Sequence, residues 1–235
     1  MTNLLHGDCL ELMKTIPDNS IDMVLTDPPY GTTACKWDSV VDFELMWKEL
    51  KRITKDNGAI ALFGKQPFTS NLIMSNPKMF KQELIWKKDN FDNPMQAKRR
   101  HLNKLENISI FYTSQCTYTP QGLIKIDRET RQGGTGQLSD SRKGRAKTYI
   151  QSHTNYPSNL LEFKRDKNVG HPTQKPVALL EYLIKTYTLP GETVLDFTMG
   201  SGSTGVAAKS LDRKFIGIEM DDKYFSIAKD RIDNA

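Results

Sequence analysis

Cysteine is scarce in this chain, and long apolar runs are missing altogether. There are three cysteines, Cys9, Cys35 and Cys116, which is too few and an odd number for a disulfide framework. None of them forms a C-x-x-C pair, so a structural zinc site is not expected. No apolar stretch approaches the roughly 20 residues that span a bilayer, and the polar start at His6-Gly7-Asp8 is unlike a secretory signal. We therefore expect a protein of the reducing cytoplasm, without membrane contact and without a metal.

Acidic residues are in the minority, and the basic excess is confined to the middle of the chain. The net charge is +5, but residues 81–170 hold 17 Lys and Arg against 9 Asp and Glu, a balance of +8 that leaves −3 elsewhere. A basic segment on a mildly acidic body is typical of a protein that binds a polyanion such as nucleic acid. The alternative is that these charges only solvate surface loops.

An apolar run followed by two prolines is the most informative stretch. Residues 21–25 have the length and composition of a buried strand, and Thr26-Asp27-Pro28-Pro29-Tyr30 follows directly. Proline has no N–H to donate and disfavours helical angles in the preceding residue, so strand and helix both stop here. Asp27 should therefore lie at the carboxyl end of a strand, where open α/β sheets bind ligands. An ordinary strand-ending turn is the alternative.

The carboxylate, carbonyl and aromatic ring of this loop are suited to activating the exocyclic amine of a nucleobase as a nucleophile. The exocyclic amine of adenine or cytosine is a poor nucleophile, because its lone pair is delocalised into the ring. A carboxylate and a backbone carbonyl that accept its two N–H bonds favour a pyramidal nitrogen with an available lone pair. Asp27 and the Pro28 carbonyl would accept these bonds, and Tyr30 would stack on the base.

Strand and helix patterns alternate through the first half of the chain. Asp8 should cap a short helix, and Asp42 should open a longer one with a single apolar stripe. That stripe consists of Phe43, Met46, Trp47, Leu50 and Ile53. Asn57-Gly58 is expected to end this helix before a strand over residues 59–63, and Pro67 to begin the next helix. This alternation predicts a parallel sheet with crossover helices.

The middle of the chain combines two predicted strands, residues 83–86 and 108–112, with basic and irregular segments. A basic cluster between the strands contains Lys98, Arg99, Arg100, His101 and Lys104. From residue 113 to 170 the apolar residues follow neither a helical nor a strand periodicity, and the glycine-rich part of this segment carries Arg142, Lys143 and Arg145. A structureless segment of this length is unusual inside a compact domain unless it is functional or disordered. We interpret it as a DNA-contacting insertion that orders on binding, and the cluster as a phosphate contact or a solvated loop.

The last third carries a nucleotide-binding pattern. Pro176 should begin a helix, and a strand over residues 193–197 is then followed by Gly200-Ser201-Gly202, a helix and a strand ending at Glu219. Small glycines let the backbone approach a ligand, and Glu219 lies where a ribose-binding acid is expected. An NAD-type domain is the alternative, but it would leave the Asp27 loop and the basic segment unexplained. A Walker-type loop is excluded, because Gly-Lys-Ser/Thr is missing.

Together, the Asp-Pro-Pro-Tyr and glycine loops resemble those of the DNA amino-methyltransferases that use S-adenosylmethionine, in the beta arrangement, where the catalytic loop precedes the cofactor loop. The resemblance implies a catalytic loop of Asp27, Pro28, Pro29 and Tyr30. It places Glu219 at the ribose, Asp8 at the adenine amine, and Thr173 and Lys175 beside the methionine carboxylate. The implied cofactor site is Asp8, Cys9, Asp27, Thr173, Lys175, Asp196, Phe197, Thr198, Gly200, Ser201, Gly202, Ser203, Thr204, Glu219 and Met220.

The resemblance also implies a Rossmann-like α/β fold with a mostly parallel, seven-stranded sheet, helices on both faces and a circularly permuted order of motifs. Residues 1–112 and 171–235 would form the methyltransferase domain, and residues 113–170 the target-recognition insertion. If the strand at Val194 is numbered one and the strand at Val24 four, the implied sheet order is 3-2-1-4-5-7-6. The first strand and the final helix should then be neighbours, because both Asp8 and Glu219 must reach one adenosine.

The implied activity is site-specific methylation of adenine N6 in duplex DNA, by direct attack of a flipped base. DNA contacts are expected from Lys98, Arg99, Arg100, Arg142, Lys143 and Arg145. Asp27 resembles the adenine enzymes more than the cytosine-N4 enzymes, which often have Ser at that position. Cytosine N4, an RNA substrate and a catalytically silent DNA-binding protein are the alternatives. A homodimer, and a cognate restriction endonuclease or none, are compatible with the resemblance.

Overall fold

A computed structural model describes residues 2–31, 39–131, 148–166 and 174–235. The strands are β1 (Thr2–His6), β2 (Ile21–Thr26), β3 (Thr54–Gly64), β4 (Phe80–Lys87), β5 (Leu105–Phe111), β6 (Ile124–Arg131), β7 (Thr148–Thr154), β8 (Leu160–Glu162), β9 (Thr193–Asp196) and β10 (Lys214–Glu219). The helices are α1 (Cys9–Met13), α2 (Phe43–Ile53), α3 (Phe68–Ser75), α4 (Val177–Tyr187), α5 (Ser203–Ser210) and α6 (Asp222–Asp233). No helix in these ranges is long and apolar enough to cross a bilayer.

Eight strands form one sheet in the order β1-β10-β9-β2-β3-β5-β4-β8. The five strands from β1 to β3 in this order run parallel, β5 runs antiparallel to both β3 and β4, and β8 is parallel to β4. The seven predicted strands therefore occur in the predicted order, and the Rossmann-like α/β class is confirmed. The prediction of seven strands was one short, because β8 has only three residues and no readable period.

The two ends of the chain meet at one edge of this sheet. β1 pairs with β10, so that His6 lies opposite Glu219, and the Gly7 amide donates to the Glu219 carbonyl at 2.9 Å. The His6 ring lies 4.9 Å from the ring of Phe225 in α6, measured between centroids. The expected proximity of the first strand and the final helix is confirmed.

Two buried clusters cover the two faces of the sheet, as the strand β2 illustrates. Met23 and Leu25 point to one face, and Val24 points to the other. Helices α4, α5 and α6 supply one cluster, while α1, α2 and α3 supply the other. A strand that is buried on both sides has apolar residues at consecutive positions, which is why residues 23–25 show no alternation.

Two predicted element boundaries were wrong. Helix α2 ends at Ile53 rather than at Asn57-Gly58, and residues 54–64 form one strand. The register against β2 runs from Ile21↔Thr54 to Met23↔Ala59, so Asn57-Gly58 belongs to a bulge and not to a helix cap. Pro176 caps α4 instead of starting it, and the Asp166 carboxylate accepts the Val177 amide at 3.1 Å.

Residues Pro120–Ser158 form a compact unit of their own, separate from the unit made of Met1–Thr119 and Asn159–Ala235. In the smaller unit β6 and β7 pair as an antiparallel hairpin, and the Asn155 side chain donates to the Gly122 carbonyl at 2.7 Å. The prediction of a wholly loop-rich segment missed this hairpin. Its apolar residues Ile124 and Ile126 are 55% and 37% exposed, so burial of these two residues does not impose a clear pattern on the sequence.

Candidate active site

The loop after β2 carries Asp27 and Tyr30 at the carboxyl edge of the sheet. The Tyr30 hydroxyl donates to the Asp27 carboxylate and lies 3.3 Å from Glu106 Oε1. The Tyr30 ring packs on Phe68, with 5.0 Å between the ring centroids. Burial, together with the negative charges of Asp27 and Glu106, raises the pKa of Tyr30 well above its ordinary value. The phenol therefore keeps its proton and acts as a hydrogen-bond donor.

A buried lysine lies between two carboxylates in the same corner. Lys175 Nζ is 2.5 Å from Asp27 Oδ2 and 2.7 Å from Glu106 Oε1. Glu106 and Lys175 are only 3% and 8% exposed. Burial alone would lower the pKa of Lys175, but the two carboxylates outweigh it and raise that pKa. Burial would likewise raise the pKa of Glu106, yet the nearby ammonium groups, Lys175 first, lower it. Both groups are charged at neutral pH.

Two further lysines extend this cluster away from Asp27. Lys88 Nζ lies 3.5 Å from Glu106 Oε2 and 2.5 Å from Asp92 Oδ2. Lys65 Nζ lies 3.8 Å from Glu106 Oε2 and 3.0 Å from Asp92 Oδ2. Lys65 follows β3, Lys88 follows β4, and Glu106 lies at the start of β5. Three strands thus direct charged side chains to one edge of the sheet.

The glycine loop between β9 and α5 has two positive-φ glycines with different surroundings. Gly200 has φ +51° and Gly202 has φ +80°. A Cβ at Gly202 would lie 2.9 Å from the Ala228 Cβ, whereas a Cβ at Gly200 would meet no atom within 4 Å. Gly202 is therefore required by packing against α6, while Gly200 leaves open space for a ligand.

Glu219 holds the glycine loop from the end of the neighbouring strand. Its Oε2 accepts the Gly200 amide at 2.9 Å, and its Oε1 accepts the Asp221 amide at 2.8 Å. These charge-assisted bonds fix the carboxylate beside the loop. Each oxygen retains further acceptor capacity, which hydroxyl groups of a ligand can use.

Asp8 and Cys9 complete this side of the site at the start of α1. Asp8 Oδ1 accepts the Glu11 amide at 3.1 Å, so the predicted helix cap is confirmed. Burial, and next to it the charge of Asp8, raises the pKa of the Cys9 thiol to about 11. The thiol is protonated at neutral pH and is not a thiolate nucleophile.

Asp196 is a buried carboxyl group at the end of β9. The Thr26 hydroxyl donates to its Oδ1 at 2.6 Å, and the Thr198 amide lies 3.2 Å from the same oxygen. Burial raises the pKa of Asp196 to about 6, although hydrogen bonds, with Thr204 first, oppose the shift. The folded state therefore binds a proton more tightly than the unfolded chain does.

We expect the substitution Asp196→Asn to stabilise the fold at neutral and alkaline pH, by up to about 3 kcal/mol. Between the unfolded pKa of 3.8 and the folded value of about 6, the native state holds more protons, so its stability falls as pH rises through this window. Asparagine keeps the acceptor oxygen without the buried charge. Thermal unfolding of both proteins at about pH 5 and about pH 8 tests this. A stability difference that does not grow with pH would contradict it.

Sequence reasoning missed Arg231 and Gln174. Arg231 Nη1 donates to the Ser201 carbonyl at 2.5 Å and to the Ser201 hydroxyl at 3.0 Å, and Gln174 lies 3.3 Å from the same hydroxyl. No sequence pattern marked Arg231, because the packing of Ala228, one turn before it on α6, against Gly202 is visible only in the structure. Together, these side chains fix the middle of the glycine loop.

One cavity of about 550 Å³ joins the two loops. Thr198 bridges them, because its hydroxyl lies 3.3 Å from the Asp27 carbonyl oxygen while its amide bonds to Asp196. The predicted catalytic residues Asp27, Pro28, Pro29 and Tyr30 all line this cavity. So do the predicted cofactor residues Asp8, Cys9, Lys175, Asp196, Phe197, Thr198, Gly200, Ser201, Ser203, Thr204, Glu219 and Met220. The structure thus places both predicted sets on the same cavity.

Some predicted site residues do not line this cavity. Gly202 lies behind it, against α6. Lys98, Arg99 and Arg100 are exposed in the connection between β4 and β5. Thr173 and the three predicted DNA-binding residues Arg142, Lys143 and Arg145 lie outside the described residues.

Comparison with known proteins agrees with this geometry. The sequence model of a family described as DNA methylase, covering N6 and N4 methyltransferases, matches residues 21–230. The chain belongs to this DNA methylase family. DNA adenine methyltransferase YhdJ of Escherichia coli strain K12 is 32% identical to this chain, in an alignment that covers 99% of this chain and 83% of that protein. Type II methyltransferase M.HinfI of Haemophilus influenzae is 30% identical, over 99% and 68% of the two chains.

Solved structures of DNA methylases share the fold. The M1.HpyAVI–SAM complex superimposes with a TM-score of 0.67 and 27% identity, covering 98% of this chain and all (100%) of that one. The cytosine-N4-specific PvuII DNA methyltransferase superimposes with a TM-score of 0.70, covering 98% of this chain and 86% of that one. At 18% identity, the latter likeness concerns the fold alone.

Proposed function

We propose that this DNA methylase transfers a methyl group from S-adenosylmethionine to N6 of adenine at specific sites in duplex DNA. The observation that carries the proposal is the single cavity shared by the Asp27 loop and the glycine loop. In direct transfer the amine nitrogen would bond to the methyl carbon as the carbon–sulfur bond of the sulfonium breaks, so that a neutral thioether leaves and the nitrogen gives up one proton. This requires the acceptor nitrogen and the methyl donor to be held in line. Such alignment of two bound reactants can supply roughly 7–11 kcal/mol of the barrier.

The cofactor side of the cavity fits S-adenosylmethionine in size and chemistry. The whole cavity, shared by the two sides, has a volume of about 550 Å³, which lies within the usual range for ligand pockets. Gly200 leaves open space for close backbone approach, Glu219 offers acceptor oxygens for ribose hydroxyls, and Asp8 offers one for an adenine amine. When bound, S-adenosylmethionine supplies an electrophilic methyl group on a sulfonium. The name of the M1.HpyAVI–SAM complex supports the same assignment.

The Asp27 side of the cavity fits the acceptor base. In the proposal Asp27 and the Pro28 carbonyl accept the two amine hydrogens, so the nitrogen lone pair is freed from the ring. Tyr30 stacks on the base that has been flipped out of the duplex. Flipping costs a few kcal/mol, which stacking and phosphate contacts offset.

Adenine is the acceptor that the relatives favour. Both curated relatives cover the whole fold of this chain, and one of them is named as an adenine methyltransferase. The chain also has Asp at the first loop position, the residue associated with adenine in the family resemblance. We also propose a cytoplasmic location and a bacterial or phage origin for the protein, which the bacterial organisms of both relatives support.

Labelling of the product base tests the proposal directly. The protein is incubated with tritiated S-adenosylmethionine and plasmid DNA, which is then digested to nucleosides. We expect the label in N6-methyladenine. Label in N4-methylcytosine would move the acceptor to cytosine, and cofactor binding without any label would favour a catalytically silent DNA-binding protein.

We further propose that exposed basic residues of the connection between β4 and β5 contact DNA phosphates. Replacing Lys98, Arg99 and Arg100 with alanine should weaken binding and reduce the slope of log K against log salt by up to about 0.9 for each lost contact. Fluorescence titrations over a range of salt concentrations measure that slope. The segment from residue 113 to 170, with Arg142, Lys143 and Arg145, is proposed as the target-recognition insertion and is open to the same test.

A matched control for this prediction is alanine at Lys48, Lys51 and Lys78. These three lysines are exposed, and their loss changes the net charge by the same amount. They lie on or after α2 and α3, away from the cavity lining. An equal change of slope in both triple variants would assign the effect to overall charge rather than to a contact surface.

A further inference from the structure

The proposed function leaves two buried charges of the site without a role. Glu106 and Lys175 are 3% and 8% exposed, and both line the cavity. Burying charged groups costs several kcal/mol per ion, and well-packed apolar residues often serve stability as well or better. A group of charges at this position therefore calls for an explanation beyond folding.

The contacts of this group lead to the Asp27 carboxylate. Asp27 Oδ2 lies 2.5 Å from Lys175 Nζ, and Asp27 Oδ1 accepts the Tyr30 hydroxyl. Lys175 Nζ is at the same time 2.7 Å from Glu106 Oε1. Asp27 thus has both oxygens fixed, one by a neutral donor and one by an ammonium group that is shared with a second carboxylate.

Electrostatics explains why the ammonium must be shared. Without Lys175, the Asp27 and Glu106 carboxylates would repel each other across the Tyr30 hydroxyl, which contacts both of them. This repulsion would turn the Asp27 carboxylate away from the position in which it accepts an amine hydrogen. Without Glu106, Lys175 would bind Asp27 alone and would compete more strongly with the amine for the same oxygen.

We propose that Glu106 and Lys175 are positioning residues for methyl transfer, which hold the Asp27 carboxylate in its orientation while leaving lone pairs of its oxygens available to the amine. This inference rests on the proposed function. It also gives Lys175 a role different from the one that the family resemblance implies, which is contact with the methionine carboxylate. Among the described contacts of the Lys175 ammonium, both ion-pair partners are carboxylates of the base-binding side.

The test measures single-turnover methyl transfer at saturating substrates, and in parallel the affinity for S-adenosylmethionine by calorimetry. Glu106→Gln keeps the size and removes the charge, and we expect the rate to fall about 100-fold, as for a misplaced catalytic group. Affinity for the cofactor should change by less than about twofold, since the interaction belongs to the transition state. Lys175→Met should likewise lower the transfer rate and leave the affinity for the cofactor nearly unchanged. Lys175→Arg should restore part of the rate.

A double variant separates positioning from folding. In Glu106→Gln with Lys175→Met both charges are removed together, so its rate loss should be clearly smaller than the product of the two single losses. Glu49→Gln is the matched control, because Glu49 is 7% exposed and bound to Arg52 at 2.7 Å but does not line the cavity. It should lower thermal stability and leave the transfer rate unchanged.

Three outcomes would overturn the inference, and they can be told apart from failure of the proposed function. If the wild-type protein methylates DNA but Glu106→Gln does so at a similar rate, Glu106 has no positioning role. If Lys175→Met weakens cofactor binding and transfers normally at saturating cofactor, Lys175 belongs to the cofactor site. If the losses of the two single variants multiply, the pair does not act as a unit. A wild-type protein that transfers no methyl group would instead refute the proposed function itself.

Discussion

Replacing Asp27 with alanine should lower methyl transfer at saturating substrates by about 1000-fold or more, the upper range for removal of a single preorganised hydrogen-bonding group. The reason is that the amine loses its charged acceptor and its lone pair stays delocalised in the ring. The same change also removes one of the two carboxylates that pair with the Lys175 ammonium among the residues the structure describes. Because the Gly200 loop and Glu219 are untouched, the affinity for S-adenosylmethionine should survive. Single-turnover kinetics and calorimetry measure the two quantities separately.

Asp27→Asn is the matched variant for this prediction. Asparagine retains an oxygen that can accept one amine hydrogen, but it lacks the charge that favours a pyramidal nitrogen and holds Lys175. Its activity should lie between those of the wild type and of the alanine variant. Loss of cofactor binding in both variants, with normal folding, would mean that the Asp27 loop belongs to the cofactor and not to the base.

The two loops could be predicted because each is defined by a short motif of consecutive residues. Two prolines after an apolar run fix the position of Asp27, and two glycines after Asp196 fix the cofactor loop, whatever the rest of the chain does. Their meeting on one cavity follows from the order of parallel strands. That order came from the family resemblance and not from residue spacing.

The charged cluster around Asp27 could not be predicted in the same way. Lys65 and Lys88 directly follow strands whose carboxyl ends lie at the site, so a signal for them was present. Glu106 lies at the beginning of its strand and reaches the same edge only because β5 runs antiparallel to its neighbours. The spacing of apolar residues does not show in which direction a strand runs. The sequence alone therefore could not predict that Glu106 lies close to Asp27.

The boundary of α2 shows a second limit of local reasoning. Asn-Gly is a common helix terminator, and Asn57-Gly58 was interpreted in that way. In the structure Lys55 Nζ pairs with Asp22 Oδ1 at 2.6 Å, and the strand begins before the Asn-Gly pair. A contact with a neighbouring strand thus overrides the preference of two residues.

Replacing Glu219 with alanine should weaken S-adenosylmethionine binding by about 10- to 100-fold, because hydrogen bonds to a charged group contribute roughly 1.5–3 kcal/mol. Two effects combine in this variant. The ribose would lose its proposed acceptor, and the amides of Gly200 and Asp221 would lose the carboxylate that now accepts them at 2.9 Å and 2.8 Å. The maximal transfer rate at saturating cofactor should fall much less than in Asp27→Ala. Calorimetry measures the affinity. Transfer rates over a series of cofactor concentrations separate an effect on cofactor binding from an effect on the maximal rate.

Asp221→Ala is the control that isolates the glycine loop. Asp221 accepts the Lys223 and Tyr224 amides at 3.0 Å and so caps α6, the helix that begins beside Glu219. Loss of this cap should cost about 1 kcal/mol of stability, as cap losses usually do, while the Gly200 amide keeps its partner. If Asp221→Ala weakened cofactor binding as much as Glu219→Ala, the effect would come from loosening of α6. Since both variants disturb the same turn, only a difference between them assigns the ribose contact to Glu219.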